Sequence, residues 1–339
     1  MVFKELLQKV SNSFDLSSEE AAFMLESIMQ GEVSSEEVAS FLTGMKMKGE
    51  TIDELSAFVR VMRSKVNPVH VDTTHTVDIV GTGGDKSGTF NISTVSAFVT
   101  AATGVPVIKH GNRSASSQCG SADVLERLGA TIELHPDQVA EVFNKTGIAF
   151  MYAPMFHPAM KYVMTARKAI GFRTFFNILG PLCNPADVSN YVIGAYNRKV
   201  SHQMAQILAQ LDTHFAYTFS AEDGLDEISL SNTSYFYQVR GTNCSEESSF
   251  SPEDLGFTRV QPEELLGGSP EKNAEIFTRI LAGEGTQAQT DIVVLNAAFA
   301  IHASGKVDSL KEAKMMAQNA ISEGYAKGLL VDFISATKT

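Results

Sequence analysis

The sequence predicts an α/β protein in which a small, mostly N-terminal helical domain precedes a larger domain with a central mixed or parallel sheet flanked by helices. Three observations carry that expectation. Three capping boxes follow one another near the start of the chain, Ser17 with Glu20, Ser34 with Glu37 and Thr51 with Glu54, and each launches an amphipathic stripe. Beyond Asn67 and Pro68, short apolar runs alternate with helical stretches, the pattern of strands joined by crossover helices. The first of those runs feeds a glycine-dense loop and then a helical pattern. Residues 77–103 read VDIVGTGGDKSGTFNISTVSAFVTAAT, a layout that offers free helix N–H groups to an anion.

Residues 1–66 are expected to form the small domain. Its apolar stripes are Ala21, Met24, Leu25 and Ile28, then Val38, Phe41, Leu42 and Met45, then Leu55, Phe58, Val59 and Met62. Helices this short cannot bury such stripes alone, so they must pack on each other, on the larger domain or on a second subunit. Asn67 before Pro68 marks a hinge, because the residue preceding proline is pushed out of the helical region. Residues 67–339 form the large domain. Strands are expected over 77–80, 105–108, 131–134, 149–152, 191–195 and 215–219, with 235–239 and 292–295 as further candidates. Helices are expected over 123–128, 203–211 and from 310–321 onward, and the segment 157–182 interrupts the alternation with helical spacing. Residues 246–268 are polar and rich in Ser, Glu and Pro, which predicts an exposed, mobile excursion.

The chain has 339 residues, 44% of them hydrophobic, which suffices for a substantial core and two domains. A formal net charge of −12 argues against broad binding of nucleic acid or anionic membrane, since both need a sustained basic surface. Any phosphorylated ligand must then be met locally, by Lys109, Arg113 or bound metal ions. Cys119, Cys183 and Cys244 are odd in number and lack CxxC spacing, so neither a disulfide framework nor a zinc site is indicated. The first ten residues, MVFKELLQKV, are too short and polar for a signal peptide, and no apolar stretch reaches spanning length. The expected location is the cytoplasm.

Within 77–103, Ser93 and Thr94 stand where an N-cap would precede Val95, Phe98 and Val99. Two nucleotide motifs nearly match. A Walker loop needs Gly immediately before Lys-Ser, but Lys86 and Ser87 follow Asp85, whose carboxylate repels a bare triphosphate. The dinucleotide fingerprint begins well at Gly81 and Gly83, yet Lys86 stands in place of its third glycine. The ligand therefore combines phosphate with something a carboxylate attracts: sugar hydroxyls, an amine or a hydrated metal ion. A second polar run, KHGNRSASSQCGSADVLERL over 109–128, lies between apolar segments and carries more cations, amides and hydroxyls than a connector needs.

These two runs together resemble the anthranilate phosphoribosyltransferase family. APMFHPAMK from Ala153, ARKAIGFRTFFNILGPLCNP from Ala166 and GLDEIS from Gly224 follow in that family's order, so the likeness covers nearly the whole chain. One departure is Gln118, where many relatives carry Lys.

The resemblance implies a nucleoside phosphorylase/phosphoribosyltransferase-like fold, a small domain completed by helices within 157–182, and a homodimer formed through the helical domain. It also implies attack of the anthranilate amine on C1 of phosphoribosyl pyrophosphate (PRPP), with pyrophosphate leaving, during tryptophan biosynthesis. For PRPP it points to Gly81, Gly84, Asp85, Thr89, Asn91, Ile92, Ser93 and Thr94, and to Lys109, His110, Gly111, Asn112, Arg113, Ser114, Ser116, Ser117 and Ser121. Glycines permit close backbone approach, and a helix start presents hydrogen bonds to an anion. For magnesium, expected as two ions, it points to Ser93, Asp226 and Glu227, with Glu222 and Asp223 as near neighbours of the same character. For anthranilate it points to Gly81, Asn112, His157 and Arg167, with Arg173 the internal rival for the carboxylate. No general base or other catalytic residue is assigned. Two other readings share parts of this pattern: a pyrimidine nucleoside phosphorylase, whose loop motifs differ from GTGGD and KHGNR, and a non-catalytic nucleic-acid-binding relative, which the negative charge opposes.

Overall fold

The chain opens on a helix with no side-chain cap, α1 (Phe3–Ser11), which the capping pattern did not announce and which is held by the buried Phe3, Leu6 and Val10. The three capping boxes then close on α2 (Ser18–Gln30), α3 (Ser35–Lys48) and α4 (Ile52–Ser64). The last box carries a second duty. Glu54 is fully buried, accepts from the N–H groups of Thr51 and Leu16 at 2.8 Å each, and pairs with Lys48 at 2.9 Å. One carboxylate thus fixes the start of α4, the loop before α2 and the end of α3. Close approach of α1 and α3 depends on Gly44, where a Cβ would stand 2.8 Å from Val10 Cγ1.

This computed structural model describes residues 1–85, 87–114, 118–211 and 213–338. The chain forms two compact units, Met1–Asn67 with Pro154–Pro185 and Pro68–Ala153 with Ala186–Thr339. The second unit begins with β1 (Val77–Gly81), α5 (Ile92–Ala102), β2 (Val107–Gly111), α6 (Ser121–Arg127), α7 (Pro136–Thr146) and β3 (Ile148–Tyr152). Residues 131–134 are not a strand. Their burial does alternate, with Ile132 and Leu134 inside, but the segment lies outside the sheet and the Thr131 N–H goes to the Thr337 hydroxyl instead. The polar run from 109 is also partly strand: Lys109 and His110 are buried in β2 because their polar atoms find partners on β1.

After β3 the chain runs through α8 (Ala153–Phe156), α9 (Lys161–Ile170) and α10 (Phe176–Leu179) before returning to the sheet. These helices complete the core of the first unit. Phe175 stacks on Phe58 at 4.6 Å and meets Phe41 edge-on at 6.0 Å, while Phe41 also meets Phe58 at 6.0 Å and Phe3 at 6.3 Å. Arg63 Nε donates to the Leu182 carbonyl at 2.9 Å, and Asn67 donates to the carbonyls of Phe156 and Met155.

The second unit resumes with β4 (Asn190–Gly194), α11 (Arg198–Ala209), β5 (Phe215–Ala221), β6 (Ser234–Arg240), β7 (Asn243–Cys244) and β8 (Ser248–Phe250). Helices α12 (Pro270–Leu281), α13 (Gln287–Ala303), α14 (Leu310–Ser322) and α15 (Tyr325–Ala336) end the chain. The sheet order is β3-β2-β1-β4-β5-β6-β7, parallel from β3 to β5 and antiparallel beyond, with β8 also paired to β6. Residues 292–295 lie in the middle of α13, not in a strand. That helix is buried on almost every side, so its sequence has lost the helical stripe and reads as a plain apolar run. Segment 246–268 is likewise no free excursion. Phe250, Leu255, Phe257 and Leu265 are buried anchors, and Leu266 forms a β-bridge to Thr89.

Candidate active site

In the second unit the chain steps from β1 through β2 to β3 on one side, then resumes at β4 on the other side of β1. Ligands of such sheets bind beyond the carboxyl ends of the strands at that reversal. Here both strand ends are glycine, and Gly81 and Gly194 are register partners. The absence of a Cβ is required at both. One at Gly81 would strike the Asp226 carboxylate, and one at Gly194 would strike the Asp226 backbone carbonyl.

Asp226 and Glu227 follow β5 and reach back across this point. Asp226 Oδ2 accepts from the Gly83 N–H at 2.6 Å, and Glu227 Oε1 accepts from the Ser93 N–H at 3.1 Å. Burial, then the negative charge of Asp85, pushes the Asp226 carboxyl up; burial, then Asp226 itself, does the same to Glu227. Lys109 is the cation among them. It is buried in β2, donates to the Ile79 carbonyl and lies 3.3 Å from Ser93 Oγ. Burial drives its ammonium pKa down while Asp78, Glu227 and Asp226 oppose that shift.

These oxygens suit magnesium. Carboxylates driven toward protonation by burial and by neighbouring acids are relieved by a cation, and magnesium asks for only one or two of them beside phosphate oxygens and water. Among the described residues no group of three His, Cys, Asp or Glu side chains could hold an ion unaided. Ser93 meets Glu227 through its backbone N–H and Lys109 through its hydroxyl.

The start of α5 differs from expectation. Its N-cap is Asn91, and Ser93 and Thr94 lie inside the first turn, because the buried face begins at Ile92 and not at Val95. Asn91 does not cap the helix with its side chain, which is bonded to Cys119 and Asn273. Gly84 has φ +73°, a backbone conformation that glycine adopts freely, and beside it Asp85 Oδ1 accepts from the Ser87 N–H at 3.4 Å. Thr89 Oγ1 meets Ser87 Oγ at 3.2 Å.

The second loop is tied to α6. His110 N–H donates to Asp78 Oδ1 at 3.3 Å, and Gly111, the last residue of β2, would place a Cβ 2.5 Å from Ser121 Oγ. Ser121 Oγ donates to the Asn112 carbonyl at 3.2 Å, Asn112 Oδ1 accepts from the Arg113 N–H at 2.8 Å, and Ser114 N–H donates to Asp123 Oδ2 at 3.2 Å. Arg113, expected to meet phosphate, pairs with Asp123 at 2.9 Å and Glu126 at 2.8 Å. Ser116 and Ser117 lie outside the described residues.

His157 and Arg167 belong to the helical unit. Burial pushes the His157 imidazole down to about 4, with a hydrogen bond to the Cys183 backbone opposing, so the ring is neutral near pH 7. Arg167 lies 5.4 Å over the Phe176 ring, and burial lowers its pKa without discharging it. Sequence reasoning passed over Asp78, Gly194 and Asn273. Asp78 looked like any polar residue between apolar neighbours and Gly194 like an ordinary strand end, while nothing near Asn273 signalled a contact with residue 91.

A family described as "Glycosyl transferase family, a/b domain" matches residues 73–327, and its helical bundle domain matches residues 4–66. The anthranilate phosphoribosyltransferase of Ruminiclostridium cellulolyticum is 44% identical over 100% of this chain and 98% of that relative. That of Persephonella marina is 42% identical over 97% of each. The chain belongs to the anthranilate phosphoribosyltransferase family. The family's solved enzyme from Thermus thermophilus superposes with a TM-score of 0.92 at 38% identity, covering 98% of this chain and 99% of that one. The Saccharomyces cerevisiae enzyme, solved with PRPP and Mg, has the same fold at 24% identity and a TM-score of 0.91, covering 99% of this chain and 98% of its own.

The buried neutral histidine gives the helical unit a pH signature. Its folded pKa of about 4 lies below the ordinary value of 6.5, so the unfolded chain binds the extra proton and stability falls as pH drops from 6.5 toward 4. The full loss is about 3 kcal/mol by linkage. In His157→Gln, the difference in urea unfolding free energy between pH 7 and pH 4.5 should shrink by roughly 2 kcal/mol. An unchanged difference would show that His157 is not held neutral.

Proposed function

We propose that this chain transfers the 5-phosphoribosyl group from PRPP to the amine of anthranilate, forming N-(5-phosphoribosyl)anthranilate and pyrophosphate in tryptophan biosynthesis. The observation that carries the reading is the buried Asp226 and Glu227 pair, set against the Gly81–Asp85 loop and the start of α5 at the reversal of the sheet. A pyrophosphate leaving group departs only if its growing charge is stabilised, and this corner collects the means to do so. Ser93, Asp226 and Glu227 would hold magnesium, which when bound neutralises the departing phosphates. We assign two ions, because the adjacent carboxylates address different N–H groups and can serve different metals.

The chain's own groups do the rest. The positive end of the α5 dipole and the close backbone approach that the glycine loop allows are assigned to phosphate and ribose. Lys109, locked by Ile79 and Ser93, contributes a fixed charge beside them. Anthranilate needs a cationic grip for its carboxylate and flat walls for its ring, and Arg167 with Phe176 beneath it offers both. Neutral His157 is assigned to anthranilate as well, as are Gly81 and Asn112. No protein nucleophile is needed when holding the aryl amine close to C1 is enough.

The helical unit is also proposed as a homodimer surface. Met47 is exposed in a groove that it lines with Val10, Ser11, Ala39, Ser40 and Gly44. Among the described residues no helix is long and apolar enough to cross a membrane and no cysteine is in a disulfide, which suits a cytoplasmic enzyme. Sedimentation velocity should find two chains per particle, and Met47→Glu should shift the population toward one; a monomeric parent protein rejects this surface.

Loss of anthranilate fluorescence in the presence of PRPP and magnesium tests the activity directly. Asp226→Asn combined with Glu227→Gln should lower turnover at least a hundredfold while the melting temperature stays level or rises, because the amides end the repulsion between buried carboxylates. Near-normal turnover at low magnesium would remove these residues from the metal site. Arg167→Ala should raise the anthranilate KM ten- to a hundredfold, roughly the 1.5–3 kcal/mol of one charge-assisted hydrogen bond, and leave the PRPP KM unchanged. Arg173→Ala serves as the control: if it alone weakens anthranilate use, the carboxylate grip lies there instead.

A further inference from the structure

Asn273 sits in the first turns of α12, far along the chain from the glycine loop, and is 3% exposed. Its side-chain amide is bonded on both ends. Oδ1 accepts from the Gly268 N–H at 2.8 Å, and Nδ2 donates to Asn91 Oδ1 at 3.0 Å. The contact is built, not incidental. Gly267 has room for no side chain, since a Cβ there would stand 2.6 Å from Asn273 Oδ1 and 2.7 Å from the Phe90 backbone. Residues flanking it pair with the glycine loop: Phe90 N–H donates to the Leu265 carbonyl at 3.2 Å, and Gly267 N–H to the Gly88 carbonyl at 2.9 Å.

Asn is among the best N-cap residues, because its side-chain oxygen can take an N–H from the first turn. Asn91 stands at the N-cap of α5 and makes no such bond. Its Oδ1 receives Asn273 Nδ2 and, at 3.4 Å, the Cys119 thiol, while its Nδ2 donates to the Cys119 carbonyl at 3.1 Å. The Ser93 N–H that an N-cap would claim goes to Glu227 instead.

We propose that Asn273 is a positioning residue for PRPP: it fixes the Asn91 side chain, assigned to PRPP, and through it joins the glycine loop to the loop before α6. The inference rests on the assignment of the α5 start to PRPP made above. A carboxylate at position 273 still accepts from Gly268 but cannot donate to Asn91. The Asn91 amide must then face that carboxylate with its own oxygen or turn over and present the oxygen to the Cys119 carbonyl, and either arrangement drives it from its present position.

The test is PRPP binding by calorimetry in magnesium, beside KM values for both substrates, in the full-length protein. Asn273→Asp should weaken PRPP binding at least tenfold and change the anthranilate KM less than twofold. In an Asn91→Ala background, where the side chain that Asn273 holds is gone, Asn273→Asp should cost less than twofold more. Asn273→Ser, which removes the reach to Asn91 without adding charge, should behave the same way should the carboxylate variant fail to fold. An equal loss in both backgrounds would mean that Asn273 acts through the loop as a whole, and no loss in the parent background would mean that it does not act on PRPP; either overturns the inference. A parent protein that binds no PRPP with magnesium instead rejects the underlying functional reading.

Discussion

The arrangement of the α/β unit turns on the burial of two adjacent acids at the point where the sheet reverses. Removing a carboxylate from water is costly unless charge or hydrogen bonds compensate it, and a pair side by side is costlier still. The fold compensates in part with the Gly83 and Ser93 N–H groups and with the Lys109 ammonium. What remains is a persistent upward pressure on both carboxyls. Space for the pair comes from the strands themselves, since β1 and β4 both end in glycine where Asp226 passes. A site that is strained without a cation is well matched to a substrate that arrives with one.

The same corner shows how a protein of net charge −12 can handle a polyphosphate. Its cations are placed rather than spread. Lys109 is immobilised in a strand, so its charge costs little further ordering when a phosphate approaches. Arg113 shows the opposite economy: it lies on the surface of α6 against Asp123 and Glu126, and exposed ion pairs of this kind exchange partners for little free energy. The positive end of the α5 dipole adds to that potential, in loops rich in glycine and hydroxyls rather than in lysine.

The helical unit is organised by different physics. Phe3, Phe41, Phe58, Phe175 and Phe176 form one aromatic cluster, and two of these rings come from a segment that leaves the α/β unit after β3 and returns at β4. His157 and Arg167 lie on that same segment, and Arg167 sits over the Phe176 ring of the cluster.

Local rules in the sequence determined the elements whose causes are local. The capping boxes at Ser17, Ser34 and Thr51 closed because a side chain and an N–H three residues apart need nothing else, and the strand, glycine loop and helix of 77–103 followed from composition and spacing. Motif order was enough to name the family. Patterns failed where burial changed their meaning. The middle of α13 read as a strand because a helix buried all round has no polar face, and 131–134 alternated without a neighbouring strand to pair with. The N-cap of α5 was misplaced because Ile92, not Val95, begins the buried face. Only the tertiary structure decided which polar groups meet: Asp226 with Gly83, Glu227 with Ser93, Lys109 with Ile79, Asn273 with Asn91. Those partners lie tens to hundreds of residues apart, and the energy that pairs them is the cost of leaving a buried polar group unsatisfied, which has no signature in the spacing of neighbours along a chain.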